Sequence, residues 1–177
     1  MMHRIKRIII LGIVLITAIP ATAQHFLDYR NEGLNCPARI ITYCENNVIL
    51  STTEFTKDGK LVPKDISKIC YNDKNLLEQC ECTIMGHTAQ LQITYDAQNR
   101  VTRKKFFMKG GYMQTKYTYG NNIWPESETN TIMCDGETQS IIATFSNYRF
   151  DYRGNWIERT RTIDEHSLLD QRTIAYW

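Results

Sequence analysis

The chain has 177 residues, of which 42% are hydrophobic and 23% charged, with a formal net charge of +2 and six cysteines. That balance excludes a disordered or fibrous chain and suits one globular domain. It also gives no electrostatic case for nucleic acid or an anionic membrane as partner.

Residues 1–23 read as a secretory signal peptide. Arg4, Lys6 and Arg7 form a basic start, Ile8 to Ile19 is apolar, and Ala21-Thr22-Ala23 offers small residues before a cleavage point. The apolar run is short of the roughly 20 residues that a membrane-spanning helix needs. Without Arg4, Lys6 and Arg7 the 21 basic residues fall to 18, against 19 acidic ones. The expected product is exported to the periplasm or the cell surface, near neutral and without a membrane anchor. Residues 24–38 read as a poorly ordered or capping lead-in, and 39–177 as one domain.

From Arg39 onward, short runs rich in Ile, Val, Thr, Tyr and Phe alternate with turn clusters. Strands are expected near 39–44, 48–55, 60–71, 76–84, 88–95, 100–107, 112–119, 123–133, 138–150, 156–163 and 168–176. Short links make sequence neighbours antiparallel neighbours in space. The expected fold is therefore all-β, a sequential antiparallel meander, curled or folded into two layers because so many twisted strands rarely stay open. Pro63 and Pro125 belong at bulges or edges. Two stretches break the alternation. Leu76, Cys80, Cys82 and Ile84 contradict the face given to Leu77, and Ile141, Ile142, Phe145, Tyr148 and Phe150 put apolar groups on both faces. Either bulges shift the phase there, or part of the sheet is covered on both sides.

One pattern recurs along these strands: an aromatic residue, three turn-type residues, Asn or Gly, one further residue, and an apolar residue. It occurs from Phe55 to Leu61, Tyr71 to Leu77, Tyr95 to Val101 and Phe150 to Trp156, with a shorter, looser copy from Tyr119 to Trp124. Each full copy fits a three-residue hairpin loop, a type I turn followed by a left-handed residue. Gly59, Asn75, Asn99 and Gly154 would be the left-handed residues, since Gly pays no Cβ penalty there and Asn tolerates the conformation. The aromatic then faces the apolar residue across the strands. The pattern resembles the YD repeats of RHS-type bacterial proteins, specifically small exported proteins of unknown function that carry them. The resemblance covers residues 50–177 through a short, degenerate motif, without the even spacing of long arrays. It implies a hairpin scaffold and names no activity.

Six cysteines in an exported chain imply disulfides. In the hairpin register Cys70 and Cys80 are diagonal neighbours and form the candidate pair. No metal site is expected. Cys80-x-Cys82 is too tight for a zinc knuckle, and His25, His87 and His166 show no ligand spacing. No nucleophile elbow or phosphate loop is present, so no catalytic residue and no cofactor is assigned. The basic run Arg100, Arg103, Lys104, Lys105 and Lys109 reads as a solvated hairpin. Trp124 and Trp177 remain as ligand-binding candidates, because exposed aromatics stack on sugars and peptides. The expected function is a non-catalytic exported module that binds a protein, peptide or glycan. The alternatives are a small glycan-directed hydrolase with an unrecognised carboxylate pair, and a structural subunit of a surface assembly.

Overall fold

In the computed structural model, residues 28–84 and 86–177 are described. The expected signal peptide and residues 24–27 lie outside them. A short 3₁₀ turn, Asp28–Glu32, precedes β1 (Ile40–Glu45), β2 (Val48–Glu54), β3 (Ile66–Tyr71), β4 (Leu77–Ile84), β5 (His87–Tyr95), β6 (Val101–Met108), β7 (Gly111–Thr118), β8 (Ser127–Cys134), β9 (Glu137–Phe150), β10 (Trp156–Ile163) and β11 (His166–Ala175). All pairings are antiparallel and form one 11-stranded sheet, in the order β2-β1-β11-β10-β9-β8-β7-β6-β5-β4-β3. The meander is therefore all-β and sequential, as its turns imply. One addition is that β1 pairs with β11, Ile40 facing Ala175 and Glu45 facing Asp170. The first strand meets the last, the sheet curls in a single layer, and the one unpaired seam falls between β2 and β3.

Two predicted strands start late, each because of a proline. The stretch predicted from 60 becomes a strand only at Ile66, and the one predicted from 123 only at Ser127. Pro63 cannot donate to a ladder and lies outside any strand in the seam. Pro125 is buried at the end of a longer link, which closes through Glu126 N to Thr118 O at 2.8 Å. The Tyr119 copy is thus a loop rather than a further tight turn.

Bulges account for both breaks in the alternation. Tyr71 faces Leu77 but Cys70 faces Gln79, so one extra residue of β4 is unpaired there. Leu77 and Cys80, three apart, consequently both reach the core. In β9, Asn147 at φ 52° shifts the phase. Ala143 and Phe145 are buried before it, and Phe150 faces the buried Trp156 after it. Ile141 and Ile142, in the lower part of the strand, stay exposed.

The connections sort by rim. Antiparallel order places the five two-residue links at one rim: Glu45 to Val48, Ile84 to His87, Met108 to Gly111, Cys134 to Glu137 and Ile163 to His166. The repeat turns and the 119–126 loop all lie at the other.

Candidate functional site

The four repeat turns share one hydrogen-bond plan. In the Tyr95 copy, Asp96 N donates to Arg100 O and Asn99 N to Asp96 O, both at 3.0 Å. The same two bonds occur at Thr56 to Lys60, Asn72 to Leu76 and Asp151 to Asn155. Gly59, Asn75, Asn99 and Gly154 sit at φ 87°, 57°, 62° and 74°. The aromatic–apolar pairs are Phe55 with Leu61, Tyr71 with Leu77, Tyr95 with Val101 and Phe150 with Trp156.

The second residue of the pattern is the turn's own clamp. Asp96 Oδ1 accepts from Gln98 N and Arg100 N, each at 2.9 Å. Asp151 Oδ1 accepts from Arg153 N and Asn155 N, also at 2.9 Å. Asn72 and Thr56 do the same work with an amide oxygen and a hydroxyl. Burial pushes the Asp96 carboxyl up, but hydrogen bonds from Arg100 and Gln98 outweigh it and hold the group below the usual carboxylate range.

These turns encircle residues 28–38, which form a plug rather than a poorly ordered lead-in. Each repeat hands it at least one group. Leu61 N and the Tyr71 hydroxyl donate to Asp28 Oδ2, at 2.7 and 2.9 Å. The Tyr95 hydroxyl donates to Asn31 Oδ1. In the last copy, Asn155 Oδ1 accepts from Asn35 N at 2.7 Å, and Gly154 O accepts from Asn35 Nδ2 at 2.8 Å. From the closing strands, the buried Arg172 donates to Glu32 O at 2.7 Å, its guanidinium 3.9 Å from the Trp156 ring centre. The Tyr43 hydroxyl donates to Glu32 Oε2 at 3.0 Å, and burial, aided by Glu32, pushes its pKa up to about 12. Leu34 and Ala38 are fully enclosed, with Ile41, Phe55 and Tyr29 in the same cluster.

Two cavities flank the plug. One, of about 280 Å³, lies beside the seam, with Leu61, Ile66, Leu77, Leu91, Ile93 and Phe106 on its walls beside Asp28 and Cys80. Burial raises the Asp28 carboxyl above its ordinary range. Burial and the neighbouring Cys82 push the Cys80 thiol up to about 11, which disfavours a nucleophilic thiolate. The other cavity, of about 200 Å³, is lined by Tyr43, Tyr117, Tyr119, Trp156, Arg159 and Glu128.

Trp124 and Trp177 are not brought together. Trp124 is half-buried in the 119–126 loop, its ring centre 4.5 Å from Phe150 and 5.9 Å from Tyr148. Trp177 is exposed and belongs to an open basin of about 630 Å³ with Tyr152, Arg153 and Tyr176. Sequence reasoning passed over Tyr152 and Arg153, which are the middle residues of a repeat turn. Their signal was there: two large side chains stand where the turn needs none.

The structure does not bond Cys70 to Cys80. The irregularity at Lys68, φ 48°, and the shift beside it set Cys70 opposite Gln79, exposed, while Cys80 points into the core. All six cysteines are free thiols in this structure. Among the described residues no three His, Cys, Asp or Glu side chains gather as a metal site.

No family model, curated protein or solved structure matches the chain.

Proposed function

We propose that this protein is a non-catalytic exported binding module whose ligand surface is the aromatic basin on the repeat-turn rim, and that the ligand is a glycan. The observation that carries this reading is the exposure of Tyr152 and Trp177, 82% and 55%, the two most exposed aromatics on this rim. Isolated exposed aromatics need no explanation. These two share a basin with Arg153, whose guanidinium lies 4.1 Å from the Tyr176 ring centre. Rings for stacking beside an exposed guanidinium suit sugar rings with hydroxyl or carboxylate substituents. The basin floor is fixed, because Asn155 Nδ2 donates to the Tyr176 hydroxyl at 2.6 Å and that hydroxyl donates to Asp151. The resemblance to YD-repeat proteins contributes the scaffold to this reading and no ligand.

The test is a glycan array and a peptide array probed with the mature protein and with Tyr152→Ala and Trp177→Ala. Glycan binding that drops at least tenfold in both variants, with unchanged thermal unfolding, supports the proposal. Binding to peptides alone, or hydrolysis of a polysaccharide panel with no binding, overturns it. The second reading, a glycan-directed hydrolase, has one observation in its favour: Asp28, with its raised pKa, and Glu32 both face the seam cavity. Hydrolysis lost in both Asp28→Asn and Glu32→Gln would select it. N-terminal sequencing of exported material tests the localisation, with Gln24 as the expected first residue.

A further inference from the structure

Strand periodicity sorts the side chains of β6 onto two faces. Lys104 and Phe106 line the seam cavity, so Arg103, Lys105 and Phe107 point to the outer face of the sheet. Arg103 stands directly opposite Lys116 of β7, and Lys105 opposite Gln114. The three cations therefore form one patch, with neighbouring strands about 4.8 Å apart and alternate residues about 6.7 Å apart. None of the three is in an ion pair among the described residues. The residues beside them in the ladders are Thr94, Gln92, Gln114 and Thr129, all uncharged. Glu81, on the same face of β4, is taken by Lys68 at 2.7 Å, and Glu128 of β8 faces the interior with Tyr117. Like charges directly opposite each other on a sheet are destabilising. Arg103 Nε is also buried without a hydrogen-bond partner among the described residues. Lys116 is exposed, and Lys105 is held over the Tyr112 ring, its Nζ 3.8 Å from the ring centre. A local concentration of positive charge thus sits on a chain whose overall charge is close to balanced.

We infer that the outer face of β5–β8 docks an acidic polysaccharide, its carboxylate or sulfate groups pairing with Arg103, Lys105 and Lys116. Charge complementarity selects the occupant. Arg103 offers the fork geometry that suits such groups, and the anions relieve the repulsion between Arg103 and Lys116. The amides of Gln92 and Gln114 and the hydroxyl of Thr131, in the next ladder position, suit the sugar hydroxyls between them. A single-stranded nucleic acid needs open rings for its bases, and Phe107 and Tyr112 both lie under Lys105. This surface is independent of the aromatic basin, which belongs to β10, β11 and the turn before β10, with β9 between the two.

The probes are polygalacturonate and dextran sulfate for the two anionic chemistries. Neutral dextran and a single-stranded oligonucleotide are the controls. Each is titrated into the mature protein at neutral pH and about 0.15 M salt, where exposed charges are screened beyond roughly 8 Å. At least one acidic polysaccharide should bind tenfold more tightly than both controls. The triple substitution Arg103→Gln, Lys105→Gln, Lys116→Gln should lose at least tenfold for that polymer, and Tyr152→Ala should leave its binding unchanged. Lys116→Glu, which gives Arg103 the carboxylate it lacks, should weaken binding and raise the thermal unfolding midpoint of the free protein. No binding of either acidic polymer, equal binding of the oligonucleotide or of dextran, or binding that survives the triple substitution overturns the inference. Acidic-polymer binding that falls in Tyr152→Ala alone also overturns it and assigns that ligand to the basin.

Discussion

The two rims of this sheet are built from different turns and are fastened to different degrees. At the repeat-turn rim, every tight link has a side chain that accepts at least one of its own backbone N–H groups, and each of the four repeat copies donates to or accepts from the plug. At the opposite rim the links are two residues long, and Val48, Ile49, Leu50, Ile132, Ile141 and Ile142 are exposed near them. The strands are continuous between the rims, so the difference lies in the connections. A three-residue turn has room for an Asx-type clamp and an inward aromatic, and a two-residue turn has neither.

The comparison can be broken most sharply at the plug. Leu34→Ala should cost about 2–5 kcal/mol in urea unfolding, because the side chain is fully enclosed at the centre of the cluster. Ile132→Ala, at the exposed rim, should change stability by no more than about 0.5 kcal/mol. Equal losses would mean that the two rims contribute alike. Next in size is the clamp. Asp151→Ala removes the acceptor for two turn N–H groups and the Tyr176 hydroxyl, and a loss of about 1–2 kcal/mol is expected. Asn99→Gly relieves a left-handed side-chain residue and should move stability by less than about 1 kcal/mol in either direction, since the freer unfolded chain offsets the relief.

The smallest expected effect is one of shape with pH. Asp28 has a raised pKa in the folded protein, so it binds more protons folded than unfolded. Its contribution is full below the unfolded value and is lost as pH rises through the folded one. Asp96 has the opposite sign, contributing above its unfolded pKa and losing that contribution as pH falls through the lowered folded value. Asp28→Asn should therefore flatten the stability curve on the upper side of the carboxylate range, and Asp96→Asn on the lower side. Thermal unfolding across pH 3 to 7, in about half-unit steps, reads both limbs. A curve unchanged by either substitution would show that neither group is perturbed.

The repeat turns were legible because everything that makes them lies within seven consecutive residues. The aromatic, the left-handed Asn or Gly and the apolar partner are enough to fix the register of Tyr95 with Val101 and Phe150 with Trp156. The clamp has a local signal as well, because Asp at the start of a turn favours hydrogen bonds to its own backbone, as Asp96 and Asp151 make. The bulges were legible as broken alternation, though not in position, since Lys68 and Asn147 are not turn residues in context. The plug was legible only as a candidate cap, and none of its partners was. Asp28, Asn31 and Asn35 show no periodicity, and their partners lie as many as 120 residues away. The pairing of β1 with β11 had no local signal for the same reason. Of the two tryptophans chosen for binding, only Trp177 stands open, because the bulge at Asn147 turns Tyr148 and Phe150 toward Trp124.

The contact between Ile40–Glu45 and His166–Ala175 sets an order in time. A ribosome or an export channel delivers the first strand long before the last, so β1 and β2 must wait as a lone hairpin with one uncovered edge. Isolated two-stranded hairpins are marginal in water, and closing so distant a pair is slow because loop entropy is spent before any contact repays it. Maturation of this protein is therefore a single late event, gated by arrival of the C-terminal strand, and a chain truncated before His166 leaves Ile40–Glu45 with β2 as its sole remaining ladder partner.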